Sequence, residues 1–276
     1  MSENNKAPDE VSHLIDAYTP AKIAALIEGA GVRKVHLPII QILALGFMAG
    51  AFIAFGAVFF TVTVTDSGLG LGPKRLLGGI VFSLGLILVV IGGAELFTGN
   101  NLIAMAWADK KVTTVEILKN WILVYGANFI GAVAMALIVH LAGTMNMAGA
   151  APAETANAIA IGKTNLSFTE AFFRGVLCNA LVCLAVWLSY AAHRVSGKIL
   201  AIIFPVAGFV ALGFEHSVAN MYFFAIAILQ GAEGVTIAAV VANLVPVTIG
   251  NIIGGSIFVA LIYWAVYLRG AEKTSP

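Results

Sequence analysis

Six stretches of this chain stay apolar for the length a bilayer demands, and no other feature narrows the possible folds so far. A hydrocarbon core of about 30 Å is crossed by roughly 20 helical residues, and the runs 37–64, 76–107, 115–141, 168–193, 199–229 and 243–268 all reach that length. A backbone in lipid must satisfy its own N–H and C=O groups, so such runs become helices. The expected class is an all-α polytopic membrane protein with six transmembrane helices. Composition agrees: 60% of the residues are hydrophobic and 11% charged, against about a quarter charged in a soluble domain. The 15 basic and 14 acidic side chains leave a net charge of +1, too even a balance to gather nucleic acid.

The second and fifth runs are too long for one plain crossing, and each carries a polar interruption near its middle. In the second it reads Gly93-Ala94-Glu95-Leu96-Phe97-Thr98-Gly99-Asn100; in the fifth, Gly213-Phe214-Glu215-His216-Ser217-Val218-Ala219-Asn220. Both are G-x-E-x-x-x-x-N. Asn120 and Asn128 in the third run repeat the spacing of Asn243 and Asn251 in the sixth, and Gly131 follows Asn128 as Gly254 follows Asn251. These paired landmarks lie 120 and 123 residues apart. The chain therefore divides into two three-helix repeats, inverted because each holds an odd number of crossings. Inverted repeats gather their interrupted helices about a pseudo-two-fold axis in the membrane plane, with a substrate site near the midplane. Half-helix N-termini carry partial positive charge, which favours an anion.

A carboxylate beside an anion path would repel its substrate. Glu95 and Glu215, with Asn100 and Asn220, are therefore expected to be structural at the helix breaks, the carboxylates accepting hydrogen bonds from freed backbone N–H groups, with a direct proton role for the carboxylates as the alternative. His216 breaks the symmetry, since its slot in the first half is Leu96. A titratable side chain inside an apolar span is costly unless paired or used, and histidine changes charge nearest neutral pH, so His216 is the expected centre of proton chemistry. His140 and His193 lie near span ends and read as interfacial. Arg174 can snorkel or pair with Glu170 one turn earlier. Cys178 and Cys183 have neither disulfide nor metal spacing. An enzyme or metal site on Glu95, Glu215 and His216 has too few ligands and no nucleophile with its base, so no metal, cofactor or catalytic activity is expected.

Three segments follow: a polar N-terminal segment, 1–36, a six-helix channel domain, 37–270, and a short tail, 271–276. Thr19-Pro20 predicts a helix start with Thr19 as cap, followed by an amphipathic helix over 21–30 on the membrane surface. Residues 142–167, rich in Ala, Asn, Thr and Gly, read as the longest exposed connection. Of the 15 Lys and Arg residues, all but Lys74, Arg75, Lys163 and Arg174 fall on one side. That bias places both termini in the cytoplasm, with the protein in the inner membrane of a bacterium or archaeon.

The two octets, together with Asn243 to Gly255 (NLVPVTIGNIIGG), resemble the formate/nitrite transporter family, from about Pro20 to Arg269. The resemblance implies an aquaporin-like protomer, second and fifth helices broken, assembled as a homopentamer with one pore per subunit. It assigns the central His to His216 and its Thr partner to Thr98, the outer-vestibule Lys to Lys163, and an Asn early in the fourth span to Asn179. Phe82, Leu86, Leu96, Phe97 and Phe209 take the places of its apolar constrictions. The expected function is transport of a small monovalent anion, formate first and nitrite or hydrosulfide as alternatives, with a proton-coupled step at His216. A neutral-solute channel for water or a polyol shares the inverted plan but calls for hydrogen-bonding groups along the pore, where this chain offers apolar rings.

Overall fold

The computed structural model describes residues 17–270; positions 1–16 and 271–276, which hold part of the expected polar leader and the whole tail, lie outside the described residues. Each half runs as a flanking helix, an unbroken crossing, a crossing in two pieces, and a second unbroken crossing. In the first half these are α1 (Pro20–Val35), α2 (Ile39–Val64), α3 (Leu71–Gly92) continued by α4 (97–108), and α5 (Thr114–Leu141). In the second they are α6 (Met147–Thr164), α7 (Phe168–Ala191), α8 (Val195–Ala211) continued by α9 (Ser217–Leu229), and α10 (Ile237–Tyr267). Helices α2, α3, α5, α7 and α10 are each long and apolar enough to cross a membrane. The remaining crossing is shared between α8 and α9. Both ends of the described chain lie on one face of this six-crossing bundle, called here the terminal face.

Local chemistry sets the boundaries. Capping boxes open the last crossing of the first half and the first of the second: Thr113 and Glu116 start α5, and Ser167 and Glu170 start α7, each side chain satisfying the other's backbone N–H. The octet glycines end the first piece of each broken crossing, because Gly93 (φ 79°) and Gly213 (φ 72°) turn left-handed, a conformation that disfavours a β carbon. Leu96 and His216 then stand extended as N-caps of α4 and α9.

Lipid tails give no hydrophobic drive for helices to associate, so small residues let the backbones close. In the first half Gly50 of α2 meets the Asn128 carbonyl and Gly131 of α5 meets the Phe47 carbonyl; in the second Gly254 of α10 meets the Val176 carbonyl. A β carbon at any of these would overlap the facing backbone. Across the halves α3 lies against α8, with Gly79 on the Ala207 backbone and the Ser83 hydroxyl donating to the Ile203 carbonyl at 3.4 Å.

Three features differ from the sequence reading. Residues 142–167 are not an open connection: they contain α6, whose Ala153, Ala156 and Ala160 are buried. Alanine reads as loop filler by hydropathy yet is the best helix former. Helix α1 does not merely lie on a surface, since Ile23, Ala24 and Ile27 are buried in a cluster with Leu102, Ile103 and Met105 of α4. Thr19 occupies the cap position but its side chain makes no cap hydrogen bond; Pro20 begins the helix alone. Helix α1 is further tied down by Glu28, which accepts from Lys111 Nζ at 2.8 Å, while Lys111 also pairs with Asp109 at 2.9 Å and Trp264 Nε1 donates to Asp109 at 3.1 Å.

Candidate functional site

Both helix breaks are held by the same set of bonds. At the first, the Asn128 carboxamide accepts from the Phe97 N–H (2.9 Å) and donates to the carbonyls of Gly46 (2.7 Å) and Glu95 (2.9 Å). At the second, Asn251 accepts from the Ser217 N–H (2.9 Å) and donates to Gly175 (2.8 Å) and Glu215 (3.0 Å). The freed backbone groups are thus satisfied by asparagines on the next crossing. The Glu95 and Glu215 carboxylates do not take the backbone N–H bonds expected of them. Glu95 accepts from Lys34 Nζ (2.6 Å) and Asn100 Nδ2 (2.7 Å); Glu215 accepts from Lys163 Nζ (2.8 Å) and Asn220 Nδ2 (2.6 Å). Asn100 and Asn220 also donate to Asn120 and Asn243, which donate in turn to the carbonyls of Lys34 and Lys163. Buried carboxylates are stable only when paired and hydrogen-bonded, and each ring meets both conditions.

Between the breaks the symmetry ends. Thr98 Oγ1 lies 2.8 Å from His216 Nε2, and both residues are buried, at 0% and 3% exposure. His216 Nδ1 is 3.1 Å from the Ala219 N–H. A backbone N–H can only donate, so Nδ1 is the acceptor, and the proton of the neutral ring belongs on Nε2. This assigns the tautomer from the hydrogen-bond network. Nε2–H then donates to Thr98 Oγ1, which leaves the threonine's own proton free to point at a third group.

Two cavities approach this pair from opposite faces. The larger, about 590 Å³, has Phe82, Phe209 and His216 in its lining, with Lys163 and Glu215 above them. Phe209 stacks on the His216 ring with centroids 6.0 Å apart and meets Phe82 edge-on at 5.8 Å. On the terminal face a cavity of about 490 Å³ is lined by Leu86, Leu96, Glu95 and Lys34. Phe82, Phe209 and His216 thus belong to one cavity and Leu86 and Leu96 to the other.

Two expected pathway residues are placed elsewhere. Phe97 is buried against Tyr125 and Trp121, at centroid distances of 4.9 and 6.4 Å, and lines neither cavity. It begins α4 while its neighbour Leu96 is extended, so the two side chains leave the backbone in different directions. Asn179 lines neither cavity either; its amide bonds to the Thr98 and Asn251 carbonyls. The residues passed over are Lys34, which completes the first ring, and Phe60 and Phe223, which line the larger cavity and meet each other edge-on at 6.2 Å. A signal for Lys34 was present: Lys34-Val-His-Leu37 precedes the first crossing of one half as Lys163-Thr-Asn-Leu166 precedes that of the other.

Comparison with known proteins gives a consistent set of matches. The profile of the family described as "Formate/nitrite transporter" matches residues 21–265. The uncharacterized transporter YrhG of Bacillus subtilis (strain 168) is 43% identical over 251 residues, covering 90% of this chain and 93% of that protein. The formate channel FocA of Escherichia coli (strain K12) is 38% identical over 273 residues, covering 92% and 96%. Among solved structures, a pentameric formate channel with formate bound superposes with a TM-score of 0.76 at 36% identity, covering 83% of this chain and 98% of that one.

Proposed function

Because this chain belongs to the formate/nitrite transporter family, we propose that it conducts a small monovalent anion, formate foremost, between the two cavities and past the Thr98–His216 pair. Formate channels among its relatives support that substrate, and a pentameric channel of the same fold supports a homopentamer with one such path in each subunit. The excess of Lys and Arg on the terminal face supports an orientation with both termini in the cytoplasm of a bacterial or archaeal cell.

The observation that carries the reading is the buried 2.8 Å contact between Thr98 and His216, set between apolar constrictions. An anion leaving either cavity first passes a Lys–Glu pair, Lys163–Glu215 or Lys34–Glu95. Phe82 with Phe209 on one side and Leu86 with Leu96 on the other then strip water from it, as hydrophobic constrictions do. Desolvation disfavours charge, so the proton affinity of the anion rises as it enters. The Thr98 hydroxyl, backed by the Nε2–H of His216, is the donor it meets there. Full proton transfer requires Nδ1 first to release the Ala219 N–H in the first turn of α9 and take a proton carried in from the solution through the cavity; the imidazolium then gives its Nε2–H to Thr98 Oγ1 as the threonine's proton goes to the anion, and the ring returns to neutral. A neutral acid crosses the far constriction more easily than its anion. The parts serve either direction, so gradients of substrate and pH set the net flow.

His216→Phe keeps a planar ring and removes both nitrogens. In proteoliposomes, uptake of radiolabelled formate should lose its dependence on pH or change it sharply, while the oligomer elutes as before. An assembled variant with the wild-type pH profile would refute the proton step.

A further inference from the structure

The two halves agree in their braces and differ at many other positions, four of which bear on the Thr98–His216 pair. Matching Glu95 with Glu215 sets Leu96 opposite His216 and Thr98 opposite Val218. The bonds of Asn128 and Asn251 pair Gly46 with Gly175, which sets Gly50 opposite Asn179 and Ala132 opposite Gly255. Of the second-half members of these four pairs, His216 and Asn179 touch Thr98, and Gly255 lies against Asn179.

Asn179, fully buried in α7, directs its Nδ2 to three acceptors: the Thr98 carbonyl at 3.2 Å, Asn101 Oδ1 at 2.7 Å and the Asn251 carbonyl at 2.7 Å. Three acceptors around one amide nitrogen decide which end of the carboxamide faces Thr98. The Cys183 thiol reaches the same carbonyl at 3.4 Å. Thr98 is therefore gripped by its backbone on one side while its hydroxyl meets His216 on the other.

Gly255 makes room for this grip. A β carbon there would sit 2.5 Å from Asn179 Nδ2 and 2.8 Å from Asn101 Cβ. The first half keeps a β carbon at the equivalent Ala132 and removes the side chain across from it, at Gly50, so the exchange of small for large is reciprocal. Helical winding departs from symmetry at the same place. Asn101 opens a 3₁₀ turn in α4, and Ser256 opens a π segment in α10 (Ser256–Leu261) while donating its hydroxyl to the Asn101 carbonyl at 3.3 Å. Their counterparts α9 and α5 are continuous α-helix. π segments collect at functional sites.

We infer that Asn179 is a positioning residue for the Thr98–His216 pair, oriented by Asn101 and admitted by Gly255, and not a group on the conduction path. Its amide nitrogen is taken up by the Thr98, Asn101 and Asn251 acceptors, so its effect on transport passes through the threonine it holds. The inference rests on Thr98–His216 being the functional centre.

The test is the pseudo-symmetric exchange Asn179→Gly with Gly255→Ala in the full chain, which gives the second half the residue pair of the first: the new β carbon enters the space the Asn179 amide leaves, with only the contacts to Asn101 Cβ and Cys183 Sγ, each 2.8 Å, left to relax. In proteoliposomes with radiolabelled formate, the double variant should keep the wild-type oligomer, at a lower unfolding temperature because three buried acceptors lose their donor. Uptake should fall by about tenfold or more, because loss of a positioning contact displaces the reacting group, and its pH dependence should flatten. A wild-type pH profile in the folded variant overturns the inference, including the case where only the yield of folded protein drops. If the double variant does not assemble, Asn179→Ala, which only deletes the amide, is read by the same criteria. His216→Phe is measured alongside. Unchanged pH dependence in His216→Phe sinks the parent reading, whereas altered dependence there with none in the exchange variant sinks this one alone.

Discussion

Replacing either brace asparagine with alanine should cost the protein several kilocalories, and by nearly the same amount in each half. In Asn251→Ala the Ser217 N–H and the carbonyls of Gly175 and Glu215 each lose a buried partner; Asn128→Ala strips the Phe97 N–H, Gly46 and Glu95 in the same way. A buried polar group left unpaired costs about 1–3 kcal/mol. Three such groups, with partial relaxation, amount to roughly 3–6 kcal/mol. At about 2–4 °C per kcal/mol for a chain of this size, the unfolding temperature should fall by roughly 6–24 °C. Differential scanning fluorimetry of the detergent-solubilised protein reads this directly, with the exposed Asn165→Ala as a control that should stay within about 0.5 kcal/mol of wild type. If both brace variants unfold within about 2 °C of the wild type, the carboxamides do not hold the breaks. A large effect at one and none at the other would refute the equivalence of the halves.

Two further outcomes follow from the charges. Lys34→Gln strands the Glu95 carboxylate, only 6% exposed, and should cost about 3–5 kcal/mol as removal of one buried partner does; adding Glu95→Gln should recover most of it in the same fluorimetric assay, and failure to recover would mean that the pair is not the relevant loss. Burial holds the Glu28 carboxyl above its ordinary range, against the downward pull of Lys111, so the folded state binds that proton more tightly than the unfolded chain. Its contribution to docking α1 therefore grows as pH falls through the window above the ordinary carboxylate value and shrinks as pH rises. Asp109 is held low by its hydrogen bond to Lys111 and acts in the opposite sense only below that window. Hydrogen exchange of α1 amides, corrected for intrinsic rates, should show more protection at about pH 5 than at about pH 7, and Glu28→Gln should abolish the difference; less protection at the lower pH refutes the assignment.

What could be seen in the sequence was whatever repeats or whatever is long. The six crossings follow from hydropathy, and the breaks from two copies of G-x-E-x-x-x-x-N. Thr98 and His216 stand out because one half lacks what the other has. Helix α6 was hidden because its buried face consists of alanines, which carry little hydropathy. Phe97 was misplaced because one residue separates an extended backbone from a helical one, and a spacing argument cannot see that rotation. The backbone bond expected of Glu95 falls to Asn128 for a similar reason: either type can accept a backbone N–H, and only the placement of Lys34 and Lys163 shows that the carboxylates are already taken.

Every bond of the two brace rings stays within its own half. From Lys34 to Asn128 the first set is complete before the second begins at Lys163. A chain emerging in order from the ribosome can thus lock its first break as soon as α5 is inserted, with no unpaired carboxylate waiting in lipid for distant residues to be made. The contacts that serve transport, Thr98 to His216 and to Asn179, wait for the two finished halves to meet, as do the packing bonds between them such as Ser83 to Ile203.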